Sequence, residues 1–187
     1  MTPTTPHTPP ASAAPAIRIR SATRGDVGLI LSLIRALAEY EEEPNAVVAT
    51  ESLLEHHLFG DGLGRGPAAE CAIGELDGRP EGFALWFHNF STWLGRPGLY
   101  LEDLFVRPAA RGRGLGKALF LYVARVAAER GCRHMQWMVL DWNEPAIGFY
   151  RSLGAEALSK WTVYRLAGDA LGRAAASPTT DRPTATG

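Results

Sequence analysis

The chain has 187 residues, 46% hydrophobic and 21% charged, which is enough to bury one full core and too short to argue for two domains. A formal net charge of −1 offers no broad basic field, so nucleic acid is not an expected partner. Membrane association is not expected either, because no apolar run reaches the ~18 residues that span a bilayer. The opening Met1-Thr-Pro-Thr-Thr-Pro-His-Thr-Pro-Pro10 lacks the basic and apolar regions of a secretory signal. Cys71 and Cys132 stand far apart with no framework around them, so two free thiols in a reducing, cytoplasmic setting are expected.

Composition marks residues 1–15 and 171–187 as disordered tails rich in Pro, Thr, Ala and Ser, leaving a folded domain at 16–170. Within it, Ile17–Arg20 alternates as a short strand. Thr23-x-x-Asp26 is a capping-box pattern ahead of Ile30, Leu33, Ile34, Leu37 and Ala38 at helical spacing. Thr50 opens a second, short helix carrying Leu53, Leu54 and His57. Residues 70–76 and 82–88 read as strands joined at Asp77-Gly78, a pair suited to a two-residue hairpin turn. A strand over 98–106, a helix over 115–130 stopped by Gly131, and a strand over 135–140 follow. Asn143 and Pro145 start a helix that runs to Ser152 and closes at Gly154. A strand pair near 155–158 and 161–166 would complete the sheet. The expected class is α/β, a mixed central sheet of about six to seven strands flanked by about four helices.

Arg111-Gly-Arg-Gly-Leu-Gly116 lies between a strand and a long amphipathic helix. A glycine turn feeding a helix N-terminus leaves backbone N–H groups aimed outward beside the positive end of the helix dipole, a setting for phosphate or pyrophosphate. Arg107, Arg111, Arg113 and Lys117 are candidates for charge-assisted contacts to it. A Walker A loop is excluded, since counting back from Gly116-Lys117 puts Arg111 where glycine is needed and Ala118 where a hydroxyl is needed. A dinucleotide G-x-G-x-x-G counted from Gly112 ends on Lys117 and fails too. R-x-x-G-x-G fits, the pyrophosphate turn of the GNAT acyltransferases, which hold acetyl-CoA; a glycine-rich surface turn is the bland alternative.

Element order and glycine turn together resemble the GNAT superfamily. Further stretches resemble the spermidine/spermine (diamine) acetyltransferase family within it: Leu37-Ala-Glu-Tyr-Glu41, Trp93-Leu-Gly95, Tyr100-Leu-Glu-Asp-Leu-Phe-Val106 and Leu140-Asp-Trp-Asn-Glu-Pro-Ala-Ile-Gly-Phe-Tyr150. The likeness covers about 17–166 in order and in register, and it departs over 42–47 and in the 60–69 loop. It implies acetyl-CoA as cosubstrate, held by Arg111, Gly112, Arg113, Gly114, Leu115, Gly116 and Lys117, by the strand backbone at Leu104, Phe105 and Val106, and by Asn143. It also implies a small cationic amine received by Tyr40, Glu41, Glu102, Asp103 and Trp161, and a homodimer. Tyr150 and Glu102 would be catalytic.

The chemistry explains why such residues are needed. A free alkylamine titrates near 10.4, so only ~0.04% is neutral at pH 7 and able to attack a thioester. An acid that attracts the ammonium and accepts its proton meets that need, and a tyrosine hydroxyl can return a proton to the leaving thiolate. A backbone N–H such as those of 104–106 can hold the developing oxyanion. No covalent intermediate is required, and neither cysteine has a catalytic neighbour in sequence. His56, His57, His88 and His134 show no ligand spacing, so no metal is expected. Structural alternatives stay open: Tyr150 as a core anchor beside Phe149, and Glu102 or Asp103 in an ion pair. The function expected is N-acetylation of a diamine, polyamine or lysine-like amine; the alternatives are a CoA-binding regulatory domain or an enzyme for a protein amine.

Overall fold

The computed structural model describes residues 15–60 and 66–177, so the compositional tail at 1–15, the end of the one at 171–187 and part of the 60–69 loop lie largely outside it. The chain forms two units, Met1–Met138 and Val139–Gly187.

In the first unit β1 (Ile17–Ser21), α1 (Val27–Tyr40), α2 (Glu51–Phe59), β2 (Glu70–Leu76), β3 (Arg79–Ser91), β4 (Arg96–Val106), α3 (Leu115–Glu129) and β5 (Met135–Gln136) follow in order. The sheet order is β1-β2-β3-β4-β5, antiparallel except for the parallel β4–β5 pair. Local chemistry explains the boundaries. The Thr23 N–H donates to Asp26 Oδ2 at 2.8 Å, fixing the turn ahead of α1. The Leu53 N–H donates to Thr50 Oγ1 at 3.3 Å at the start of α2. Asp77 adopts φ +52° and Gly78 φ +77°, the left-handed pair that a tight hairpin between β2 and β3 requires.

Ile30 and Leu33 of α1 pack with Cys71, Ile73, Phe83, Leu85 and Phe105 on one face of the sheet, forming its buried core. On the other face α3 presents Leu115, Leu119 and Val123, all nearly inaccessible to solvent. Gly82 is required where β3 and β4 meet α3, because a Cβ there would lie 2.6 Å from the Phe105 carbonyl oxygen and 3.2 Å from Leu119.

Strand β4 carries the feature that most affects the site. Leu85 faces Asp103 and Trp86 faces Leu101, so Glu102 is an extra residue with no partner across the pair. This β-bulge breaks the alternation of sides that the sequence implies for Glu102 and Asp103.

The second unit contains α4 (Glu144–Ser152) and α5 (Gly168–Ala176). Asn143 caps α4, its Oδ1 accepting from the Ala146 N–H at 3.3 Å, with Pro145 in the first turn. Helix α5 runs across residue 171, where the compositional reading begins its tail.

Two expectations need correction. The strand pair at 155–158 and 161–166 does not form, and the strand expected over 135–140 is confined to Met135–Gln136, so five strands replace the six to seven expected among the described residues. Alternating side chains specify what a strand would look like, but a strand exists only where a neighbour accepts its backbone hydrogen bonds. Within 155–166 the backbone instead closes a local turn, Trp161 N–H to Leu158 O at 3.0 Å.

Candidate active site

The glycine turn leaves β4 through a short 3-10 turn, Pro108–Ala110, and enters α3. Gly112 (φ +74°) and Gly114 (φ +89°) hold left-handed backbone, and Gly114 is the N-cap of α3. The first helical bond runs from the Ala118 N–H to the Gly114 carbonyl at 3.0 Å, so the N–H groups of Leu115, Gly116 and Lys117 precede the ladder. Nothing lies within 4 Å of where a Gly112 Cβ would stand. Donors at a helix N-terminus, left-handed glycines and open space above them fit a pyrophosphate.

The arginines around this turn have work inside the protein. The Arg111 guanidinium stacks 4.1 Å from the Tyr40 ring centroid, and its Nε donates to the Val106 carbonyl at 2.9 Å. Arg107 donates to Ser32 Oγ at 3.2 Å, and Arg113 pairs with Asp77 Oδ2 at 2.6 Å. Lys117 is exposed and forms no ion pair among the described residues. Arg111 thus ties the glycine turn to Tyr40 at the end of α1.

Three carboxylates meet near that helix end. Burial, then the charges of Glu102 and Glu41, push the Asp103 carboxyl up to about 7. Burial also raises Glu41, the residue that closes α1. Tyr100 is raised by burial and then by Glu102. Glu102 itself is exposed at the bulge. Neither Glu102 nor Asp103 enters a salt bridge among the described residues, in contrast to the structural ion pair that the sequence left open.

Of the strand residues expected to approach the cofactor, Phe105 and Val106 are buried and Leu104 is half-buried, pairing with Ala84. In the second unit, Tyr150 lies on α4 beside Phe149, with ring centroids 5.3 Å apart, and burial pushes its hydroxyl up to about 12. Asn143 is the cap of that helix, so part of its hydrogen-bonding capacity goes to the fold. Trp161 is 68% exposed and outside any strand. Both cysteines are free thiols, and burial pushes Cys71 up to about 12, unsuited to nucleophilic work. Among the described residues no cluster of His, Cys, Asp and Glu is arranged to hold a metal, and no helix is long and apolar enough to cross a membrane.

The sequence reading missed two participants, the bulge at Glu102 and the Asp77 carboxylate beside Arg113. No local signal marks the bulge, and Asp77-Gly78 reads fully as a turn.

Residues 32–155 match the acetyltransferase (GNAT) family, and the chain belongs to it. It is an N-acetyltransferase that uses acetyl-CoA as cosubstrate. The chain is 39% identical over 166 residues to a thialysine N-epsilon-acetyltransferase of Bos taurus, a match spanning 83% of this chain and 95% of that one. It is 32% identical to an L-ornithine N5-acetyltransferase of Arabidopsis thaliana, across 90% of this chain and 92% of the relative. Among solved structures, an integron cassette protein from the mobile metagenome of V. cholerae superposes with a TM-score of 0.71 at 25% identity, covering 86% of this chain and 98% of that one.

Proposed function

We propose that this enzyme acetylates the primary amine of a small cationic substrate, a diamine, a polyamine or a lysine-like amino acid, by direct attack in a ternary complex. The observation that carries this reading is the group of three carboxylates, Glu41, Glu102 and Asp103, whose mutual repulsion and burial raise the proton affinity of Asp103. An ammonium entering there relieves the repulsion. The named relatives acting on thialysine and ornithine support a cationic acceptor of that size.

In this reading the N–H groups of 115–117, with Gly112, Gly114 and Lys117, bind the phosphates of the cosubstrate, which supplies the acetyl group as a thioester. Arg111 holds the turn against Tyr40 as well as standing near the phosphates. Glu41 and Asp103 attract the ammonium, and Glu102, exposed at the bulge, accepts its proton directly or through water. A backbone N–H within Leu104–Val106 stabilises the charge that develops on the carbonyl oxygen. Tyr150 returns a proton to the departing thiolate, Asn143 contacts the cosubstrate arm and Trp161 lines the amine side, roles supported by the resemblance of their sequence stretches. The protein acts as a homodimer on the same ground.

The deciding experiment measures CoA release with acetyl-CoA against a panel of thialysine, ornithine, lysine, putrescine, spermidine and neutral amines. Turnover confined to cationic amines, with kcat/KM cut by at least about tenfold in Glu102→Gln, is the expected outcome. Equal turnover of neutral amines, or an unchanged kcat/KM in Glu102→Gln, would overturn it.

A further inference from the structure

Asp77 is 36 positions from Arg113 in sequence, yet Arg113 Nη2 donates to Asp77 Oδ2 at 2.6 Å. The carboxylate is itself fixed. Its Oδ1 accepts from the Ala16 N–H at 2.9 Å, while the Asp77 N–H donates to the Ala16 carbonyl at 2.9 Å. A side chain held at two points on β1's approach is a rigid anchor, unlike a freely rotating surface carboxylate.

Arg113 needs an anchor for a physical reason. It is flanked by Gly112 at φ +74° and Gly114 at φ +89°, residues that lose more conformational freedom on ordering than any other type. A turn of this kind, left to its backbone, samples many shapes, and each aims the N–H groups of 115–117 differently. The side chain between the two glycines is the natural place to pin it. The hairpin does not by itself call for a carboxylate at Asp77, since Asn suits the left-handed first position of an x-Gly turn equally well. Simple electrostatics also opposes an acid here, because it repels an anionic ligand at the adjoining turn.

We propose that Asp77 is a positioning residue of the cofactor turn: acting through Arg113, it holds the glycine-flanked backbone in the shape that receives the phosphates before they arrive. The proposal rests on the reading that this turn binds the phosphates of acetyl-CoA. Preorganisation of this type improves affinity by lowering the cost of ordering the site, without adding a ligand contact.

The test is a calorimetric titration with CoA, which needs no turnover. Asp77→Asn keeps the turn and an acceptor for Ala16 and removes the charge that holds Arg113. The expected result is a Kd for CoA about two- to fivefold weaker, the range that an exposed ion pair can supply. In an Arg113→Gln background Asp77→Asn should then add nothing, because the residue acts through Arg113. Unchanged affinity in Asp77→Asn would overturn the proposal, as would tighter binding, the sign expected of a carboxylate that merely repels phosphate. An equal loss in both backgrounds would overturn it too. Gly114→Val separates the proposal from its premise. If Gly114→Val leaves the Kd unchanged, the phosphate reading of the turn fails. If it abolishes binding while Asp77→Asn does not weaken it, the role of Asp77 alone fails.

Discussion

Asp103 governs the charge of the acceptor end at neutral pH. Its carboxyl titrates at about 7 in the folded protein against an ordinary 3.8, so the negative charge facing an incoming cation grows as pH rises from 6 to 8. KM for a diamine should fall across that interval in the wild type and change much less in Asp103→Asn, as steady-state kinetics at fixed ionic strength will show. Stability should move the other way. Between pH 4 and 7 the folded chain binds the proton that the unfolded chain has released, so this contribution is full below pH 4 and is lost as pH climbs through 7. Asp103→Asn should therefore melt higher relative to wild type at pH 8 than at pH 5, and a constant difference in Tm would contradict the assignment. At Tyr150 the proposed role is separable from packing. Tyr150→Phe keeps the ring and its neighbour Phe149, so CoA affinity should hold while kcat drops by ~10²–10⁴-fold. A kcat within about threefold of wild type would leave the hydroxyl without a catalytic part.

Three elements of the first unit converge on one cation. Arg20 of β1 forms a 2.7–2.8 Å bidentate pair with Asp26, ahead of α1, and a 2.8 Å contact to Glu75 of β2. The Arg20 guanidinium, with support from Thr23, holds the Asp26 carboxyl well below the usual carboxylate range. Asp26 is 8% exposed, so Arg20→Ala would strand a buried charge at a cost of about 3 kcal/mol. Because the folded pKa is depressed, that stability is present above pH 4 and disappears as pH falls below it. Denaturant midpoints between pH 2 and 6 should show a shallower acid loss in Arg20→Ala than in wild type; parallel curves would place the origin of acid sensitivity elsewhere. Elements of this kind differ in how far they could be read in advance. Helices α1, α3 and α4 and the β2–β3 hairpin were legible because their signals are local: apolar spacing, Asn143 and Pro145, and the Asp77-Gly78 pair. The extra residue at Glu102, the stacking of Arg111 on Tyr40 and the Arg113–Asp77 pair depend on tertiary register, which single-residue patterns do not encode. The expected strands at 155–166 failed for the related reason that pairing needs a neighbour.

At the scale of the whole molecule, large apolar side chains remain uncovered in both units, including Trp93 at 86%, Val163 at 70% and Tyr164 at 92% exposure. Such exposure accords with association between copies, as the resemblance implies. Light scattering of the acetyl-CoA-bound enzyme at micromolar concentration should report twice the chain mass of 20.2 kDa, and a particle of one chain would rule the homodimer out. The bulge in β4 reaches across this scale as well. Leu99 and Leu101 are odd-numbered and Val106 is even-numbered, yet Trp86 opposite Leu101 meets Tyr122 of α3, and Val106 lies near Gly116 and Leu119. Odd and even positions therefore exchange sides of the sheet at Glu102. Deleting that one codon would not trim a side chain; it would send half of the strand to the wrong side, burying Asp103 toward α3 or turning Leu99 and Leu101 away from it. The reading frame of the sheet, like that of a message, has a single point where one unit more or less rewrites everything downstream.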